Sequence, residues 1–179
     1  VGQFLPWKRP LTTVLSGGGA HDVYATVKVQ EAPLQGGSSF SPFINVTLSR
    51  LEGNTQNMWV AIAVSDGQRL TLENLDARSQ VDNPVRIEGK GGAFEGVIGN
   101  AFILDHLYND IGHAQVTTIP GTNTNYSTML LYRTSFDKGI EEGIVVVQEA
   151  NGGISNEPSS AVMVKVLLTP EPGVASGPL

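Results

Sequence analysis

The segment 81–97, VDNPVRIEGKGGAFEGV, restricts the fold of this chain more than any other part of its sequence. Asn83-Pro84 marks a turn, because proline fixes its own φ and cannot donate a hydrogen bond to a sheet. Apolar and polar residues then alternate through 85–89, the period-two pattern of a strand with one buried face. Gly91-Gly92 predicts a tight reversal, and Phe94-Glu95 opens the next strand. The segment is therefore typical of a small β-sandwich.

Strand-like runs of this kind recur along the chain. Three runs alternate apolar and polar residues near its start, at 23–30, 44–51 and 58–64. From residue 70, seven more follow with turn signals every ~8–12 residues. They lie at about 70–75, 84–89, 96–104, 113–119, 128–136, 143–149 and 161–168. We therefore predict an all-β chain: a seven-stranded antiparallel immunoglobulin-like sandwich preceded by a small β-rich section.

The sequence divides into four predicted segments. They are an arm or linker over 1–20, a small β-subdomain over 21–68, the sandwich over 69–169 and a solvated tail over 170–179. An isolated hairpin is not stable in water, so the front strands must bury their apolar faces. They either extend the sandwich or form a separate small sheet completed by another copy. We favour a separate subdomain packed against the sandwich, with open strand edges that favour self-association.

Composition excludes several classes of function. The net charge is −6 and the Lys and Arg residues are scattered, so neither nucleic acid nor an anionic membrane is an expected partner. There is no cysteine, so the chain has no disulfide and no thiolate metal site. No apolar run approaches the ~18 residues of a membrane span. Because the chain begins at Val1, we expect an upstream segment that is not present here, and the sequence leaves open whether it held a signal or a lipid anchor.

A set of motifs in the segment from about 70 to 168 carries a family likeness. The motifs are Asn83-Pro84-Val85 followed by Gly89, then Phe94-Glu95-Gly96, Gly112, Phe136, and the runs 144–149 and 162–168. This segment resembles the immunoglobulin-like domain of bacterial spore germination proteins. It departs from that family at Asn151-Gly152-Gly153, where an acidic Asp-Gly turn is common. Residues 23–65 resemble the closing strands of the small cone-shaped α+β domains that often precede this module.

The resemblance implies a non-enzymatic, extracytoplasmic module of a bacterial cell-surface or secreted protein. Such a module acts as a spacer or as a protein or cell-wall interaction domain, in proteins related to sporulation or germination that are secreted or lipid-anchored. It also implies structural roles for one set of residues. These are Pro84, Gly89, Phe94, Glu95 and Gly112.

The alternative class is a carbohydrate-binding module. That class would need a row of exposed aromatic residues on one sheet face, because sugar faces stack on rings. Aromatic residues make up only 7% of the chain, and most of them fall at predicted core positions. Trp7, in the front arm, has no core assignment: it either docks on the sandwich or belongs to a partner interface, and it is the candidate interaction residue.

Two groups of side chains contain residue types that bind metals, but neither has the arrangement of a metal site. Asp105, His106, Asp110 and His113 straddle a connection between strands, whereas zinc needs three or four ligands that converge. Asp137, Glu141 and Glu142 carry oxygen ligands suited to calcium. We interpret both groups as solvated loops and predict no metal.

No pattern predicts catalysis or a cofactor. Gly89-Lys90-Gly91-Gly92 lacks the first glycine, the Ser or Thr and the following helix of a phosphate loop. Glu88 and Glu95 flank one turn, but glycoside hydrolysis needs two acids facing each other across a groove. We expect Glu88 to face water and Glu95 to accept hydrogen bonds at the sandwich edge.

The predicted core follows from the alternation of each strand. Its members are Val85, Ile87, Phe94, Leu131, Val146, Val164 and Val166. Trp59 and Tyr132 are predicted to be core or half-buried.

Overall fold

A computed structural model describes residues 10–32, 43–51, 58–66, 69–150 and 160–170. These residues form twelve strands and no helix, which confirms the predicted all-β class. The strands are β1 (Pro10–Gly17), β2 (Tyr24–Glu31), β3 (Phe43–Arg50), β4 (Trp59–Asp66), β5 (Thr71–Leu72), β6 (Gln80–Val81), β7 (Val85–Lys90), β8 (Val97–Leu104), β9 (Asp110–Thr117), β10 (Asn125–Leu130), β11 (Glu141–Glu149) and β12 (Ala161–Leu168).

The strands build two sheets. The large sheet has nine strands in the order β1-β2-β3-β4-β12-β11-β8-β9, with β6 added beside β12. The small sheet has three, in the order β10-β7-β5. All neighbouring strands pair antiparallel except β6 and β12, which are parallel. The two layers agree with the predicted antiparallel sandwich.

The main core lies between the small sheet and the β12-β11-β8-β9 part of the large sheet. Ile87 and Tyr126 point into it from the small sheet, and Ile103, Val145 and Val166 point into it from the large one. All five are almost completely buried. Burial of each such side chain contributes about 1.5–3 kcal/mol, so this layer holds the two sheets together.

Two glycines among the predicted structural residues are required by close backbone contacts. A Cβ on Gly89 would lie 2.0 Å from the carbonyl oxygen of Thr71 and 2.7 Å from the hydroxyl of Tyr126. That space lets the Tyr126 hydroxyl donate a 2.6 Å hydrogen bond to the Thr71 carbonyl, which joins β10 to β5 across β7. A Cβ on Gly112 would meet the Leu131 carbonyl oxygen at 2.4 Å.

Burial of the other predicted core residues is mixed. Val85, Ile87, Val146, Val164 and Val166 are buried, and so is Tyr132, while Trp59 is half-buried. Two predictions were wrong. Phe94 is 60% exposed because it flanks a turn. Leu131 is 58% exposed because alternation points it away from the face that buries Leu130 and Tyr132.

The position of a turn explains the error at Phe94. The chain reverses at Glu95-Gly96, where both residues have positive φ, and not at Gly91-Gly92 as predicted. Phe94 and Val97 exchange backbone hydrogen bonds of 2.9 and 3.0 Å around this two-residue hairpin. Two positive φ values match the twist of antiparallel strands, which favours such short turns. Phe94 therefore flanks the turn in solvent, and Glu95 is exposed in the turn itself.

Two further predictions, one about a segment and one about a strand, also need correction. Residues 10–17, assigned to an arm or linker, form strand β1 paired with β2. The strand predicted at 128–136 is β10, which begins at Asn125 and ends at Leu130. The tail over 171–179 lies outside the described residues, and the division between 68 and 69 stays a prediction.

The front strands join the rear strands through one short contact. β4 pairs with β12 at only two positions, Val64 with Met163 and Ala63 with Val164. A second apolar cluster, on the face opposite the main core, crosses this junction and joins Ile44 to Val146. The four front strands therefore continue the large sheet.

A buried amide fixes the connection before β7. Asn83, only 5% exposed, donates a 2.7 Å hydrogen bond from Nδ2 to the carbonyl of Tyr132 and accepts one of 3.3 Å from the Tyr132 N–H. Asn74 makes the same pair of bonds at the surface, to the Arg86 carbonyl and the Glu88 N–H, both 2.8 Å. The two residues form matched sites that differ in burial.

We predict that Asn83→Ala destabilises the protein by about 1–3 kcal/mol, the cost of leaving buried backbone groups unsatisfied. The control Asn74→Ala should cost clearly less, because water reaches the backbone groups that it frees. Urea unfolding followed by circular dichroism measures both values. Equal losses for the two variants would show that burial of the Asn83 site contributes nothing.

Candidate functional site

The most distinctive surface of the described chain is the outer edge of β1. The β1–β2 hairpin turns at Gly17 and Gly18, both with positive φ, and Asp22 accepts a 2.7 Å hydrogen bond from the Gly19 N–H. A Cβ on Gly17 would lie 2.1 Å from the Tyr24 carbonyl oxygen, so the turn requires glycine there. Gly17 and Gly18 therefore fix the position of the turn between β1 and β2.

Arg50 holds this turn from β3. Its guanidinium donates a 2.6 Å hydrogen bond to the Ala20 carbonyl and a second bond to the Gly19 carbonyl. The same guanidinium lies 4.8 Å from the centre of the Trp59 ring, a cation–π arrangement. Arg50 thus connects the hairpin turn to both β3 and β4.

Every residue of β1 is exposed. Leu11, Val14 and Leu15 are each at least half exposed, at 50%, 62% and 53%. The strand PLTTVLSG contains no charged residue, and of the features that protect natural edge strands it has Pro10 at its start and a bulge at Leu15, with residues 11–14 carrying neither. In the part of the chain that the structure describes, β1 ends the large sheet, so one edge of its backbone faces solvent.

An apolar row on one face of the large sheet leads to this edge. Residues directly opposite each other in a sheet point to the same face. The paired positions are Val14, Val27, Val46, Val64, Met163, Val146 and Phe102, in the order in which the strands adjoin. We call this set the cross-sheet row. Val64, Met163 and Val146, in the middle of the row, are buried, and Val14, at the β1 end, is 62% exposed.

The opposite end of the large sheet is different. β9 carries two titratable side chains, Asp110 and His113. Its backbone also forms hydrogen bonds with other segments of the chain. The Arg133 N–H donates a 2.9 Å hydrogen bond to the Ile111 carbonyl. Beyond the end of β9, Thr118 and Tyr126 form an isolated bridge towards β10. β9 is therefore a partly occupied and charged edge.

The histidines and acids near the β8–β9 connection form separate pairs. His106 pairs with Glu141, and His113 Nδ1 lies 3.0 Å from Asp110 Oδ2. Asp105 is occupied by its own loop. Its Oδ1 accepts bonds of 2.8 and 2.9 Å from the Leu107 and Asn109 N–H groups, and its Oδ2 accepts one of 2.9 Å from the Asn109 amide. The Asp105 bonds and the two histidine–acid pairs are therefore structural contacts in and around the β8–β9 connection.

The second acidic group is also divided. Glu141 pairs with His106, Glu142 pairs with Lys165, and Asp137 is exposed. Among the residues that the structure describes, no three His, Asp or Glu side chains are placed to hold one metal ion.

The glycine-rich segment 89–92 is not a cradle for a phosphate. The Lys90 N–H donates to Thr71 Oγ1 at 2.9 Å, and the Gly91 N–H donates to the Thr124 carbonyl at 2.9 Å. The Lys90 ammonium lies 3.2 Å from Glu73. These contacts attach the end of β7 to its neighbours.

The two acids considered for hydrolysis occupy different settings. Glu88 is half-buried and pairs with Arg86 at 2.5 Å, and its Oε1 also accepts a 3.3 Å bond from Ser127. Glu95 lies exposed in the turn before β8. Pro84 follows Asn83 through a cis peptide bond and is exposed. Trp7 lies outside the described residues.

Sequence reasoning missed three residues of structural weight. Asn83 was read only as part of a turn, and Tyr126 was given no structural role. Burial, followed by the charge of Glu73, raises the pKa of the Tyr126 hydroxyl above its usual range, so this hydroxyl stays a donor to Thr71. Arg50 was also missed, because its contacts with the β1–β2 turn join segments about 30 residues apart in the sequence.

Comparisons with known proteins gave no relative: no family model, no curated protein and no solved structure matches this chain. No helix able to cross a membrane occurs among the described residues.

The Asp105 turn makes stability depend on pH. Partial burial acts to raise the pKa of Asp105, but the hydrogen bonds from Asn109 and Leu107 and the charge of His106 together lower it below its ordinary value. A lowered pKa in the folded state stabilises the protein above the unfolded value, about 3.9, and this contribution is lost as pH falls through the folded value.

We predict that Asp105→Asn lowers the melting temperature at pH 7, and that the difference from the parent protein shrinks as pH falls from about 5 to 3. Calorimetry over this range measures the difference. Asp137→Asn, at an exposed carboxylate, is the control and should change little at any pH. A difference that stays constant from pH 7 to pH 3 would contradict the account.

Proposed function

We propose that this chain is a non-enzymatic protein-interaction module that binds an extended strand of a partner along the outer edge of β1. The observation that carries the proposal is the combination of full exposure, three large apolar side chains and no charge in an eight-residue edge strand. Edge strands present unpaired N–H and C=O groups, so they accept a further strand unless something blocks them. Gly17 and Gly18 in the β1–β2 turn, together with Arg50, which bonds to that turn, hold this edge in place.

We further propose an immunoglobulin-like module in an extracytoplasmic protein of a bacterium, at the cell surface or secreted, that relates to sporulation or germination. The likeness of segment 70–168 to the family domain supports this placement. The described geometry adds that these titratable groups make structural contacts: Asp105 and His106 hold the β8–β9 connection, and Glu142 pairs with Lys165 of the neighbouring strand.

Among the residues that the structure describes, the exposed aromatic side chains favour a protein partner over a sugar. Tyr24, Phe94 and Tyr108 are at least half exposed, but they lie in β2, before β8 and after β8. β8 has eight residues, so about 25 Å of strand separates Phe94 from Tyr108. A sugar platform needs neighbouring rings.

Selection from a phage-displayed library of random peptides tests the binding mode directly. We predict enrichment of extended peptides rich in β-branched and aromatic residues, since these favour strand pairing. Thr12→Lys should weaken their binding at least tenfold, because it places a charge on the edge. The matched control Gln115→Lys, at an exposed position of the other edge strand, should leave binding unchanged.

Failure has two recognisable forms. If no peptide is enriched, or if binding is the same in Thr12→Lys, the β1 edge is not the interaction site. A glycan array supplies the other arm: strong binding that disappears on Tyr24→Ala would support the carbohydrate class instead.

Protease treatment of intact cells that make the full-length protein tests its location, and resistance until the cells are lysed would contradict an outer surface.

A further inference from the structure

We propose that the strand bound by β1 is β1 of a second copy of this chain, paired antiparallel about a two-fold axis at Thr12. The inference rests on the proposed function, since it names the partner of the same edge. The product would be a dimer in which the two large sheets form one continuous sheet.

The geometry of a symmetric pair selects the centre. A two-fold axis perpendicular to the sheet keeps each side chain on its own face, and opposite residues in a sheet point to the same face. The centre must therefore fall on a residue and not between two. The regular part of β1 runs from Pro10 to Val14, because its register with β2 shifts between Val14 and Ser16. The middle residue of that part is Thr12.

This register is compatible with itself. It sets Thr12 opposite Thr12 of the second copy, Leu11 opposite Thr13, and Pro10 opposite Val14. None of these pairs contains a charge, so no like charges face each other within the pairing. Cross-strand pairs of β-branched and apolar side chains stabilise antiparallel sheets.

The exposed end of the cross-sheet row is covered in this register. The row ends at Val14 with its side chain 62% exposed. In the symmetric pair, Val14 of each copy lies opposite Pro10 of the other, so the exposed end of each row gains an apolar neighbour. A contact between identical edges is closed by the two-fold axis. β9, at the far end of the sheet, carries Asp110 and His113, which disfavour further addition there.

A charge-exchange experiment on the full chain tests the pairing. Sedimentation velocity of the unmodified chain up to about 1 mM should show a dimer that increases with concentration. Thr12→Lys and Thr12→Glu should each weaken dimerisation at least tenfold, because like charges opposite each other destabilise a strand pair. An equimolar mixture of the two variants should restore the dimer, since opposite charges then meet at the axis. Restoration by mixing cannot come from a misfolded variant.

The controls are Gln115→Lys and Gln115→Glu in β9, which should dimerise like the unmodified chain. A chain that stays monomeric at every concentration, a dimer unchanged by Thr12→Lys, or variants that fail to recover on mixing would each overturn the proposal. If the mixture fails while peptides still bind the β1 edge, the proposed function stands and the partner is another protein. If peptide binding fails as well, both fall.

Discussion

Pairing along β12 is the interaction on which the rest of this structure depends. One edge of β12 is fully used by β11, over eight residue pairs. The other edge is shared, with β4 at Met163 and Val164 and with β6 at Leu167 and Leu168. Its two faces are buried in the two apolar clusters. Because β12 joins the front strands to the rear ones, the placement of β1 at the open end of the sheet follows from it.

The β4–β12 contact is short, and clefts flank it on both faces. One, of about 110 Å³, is lined by residues that include Tyr108 and Ile144, and the other, of about 250 Å³, includes Leu70 and Val162. Two residue pairs are few for a junction that carries four strands, so side-chain packing across the second apolar cluster must supply much of its stability. The four front strands can therefore carry β1 as one unit, and the main core does not have to open for β1 to be accessible.

Much of the fold was predictable where alternation is regular and turns are marked by glycine or proline. β7, β8, β11 and β12 lie within a few residues of their predicted positions. β1 was missed because the bulge at Leu15 breaks its alternation and glycines follow it. Phe94 was misplaced because Glu95 adopts a positive φ that non-glycine residues seldom take. The candidate edge could not be predicted, since whether a strand ends a sheet depends on pairings between distant segments.

Amide hydrogen exchange as a function of protein concentration tests the central claim most directly, that one sheet runs through β12 and ends in a β1 edge open to a further strand. The account predicts that amides of β12 exchange most slowly at every concentration, and that amides of β1 exchange quickly in dilute solution and become protected when the protein is concentrated. Rapid exchange in β12 would contradict the continuous sheet. Exchange in β1 that is independent of concentration, with no added peptide able to slow it, would contradict the open edge.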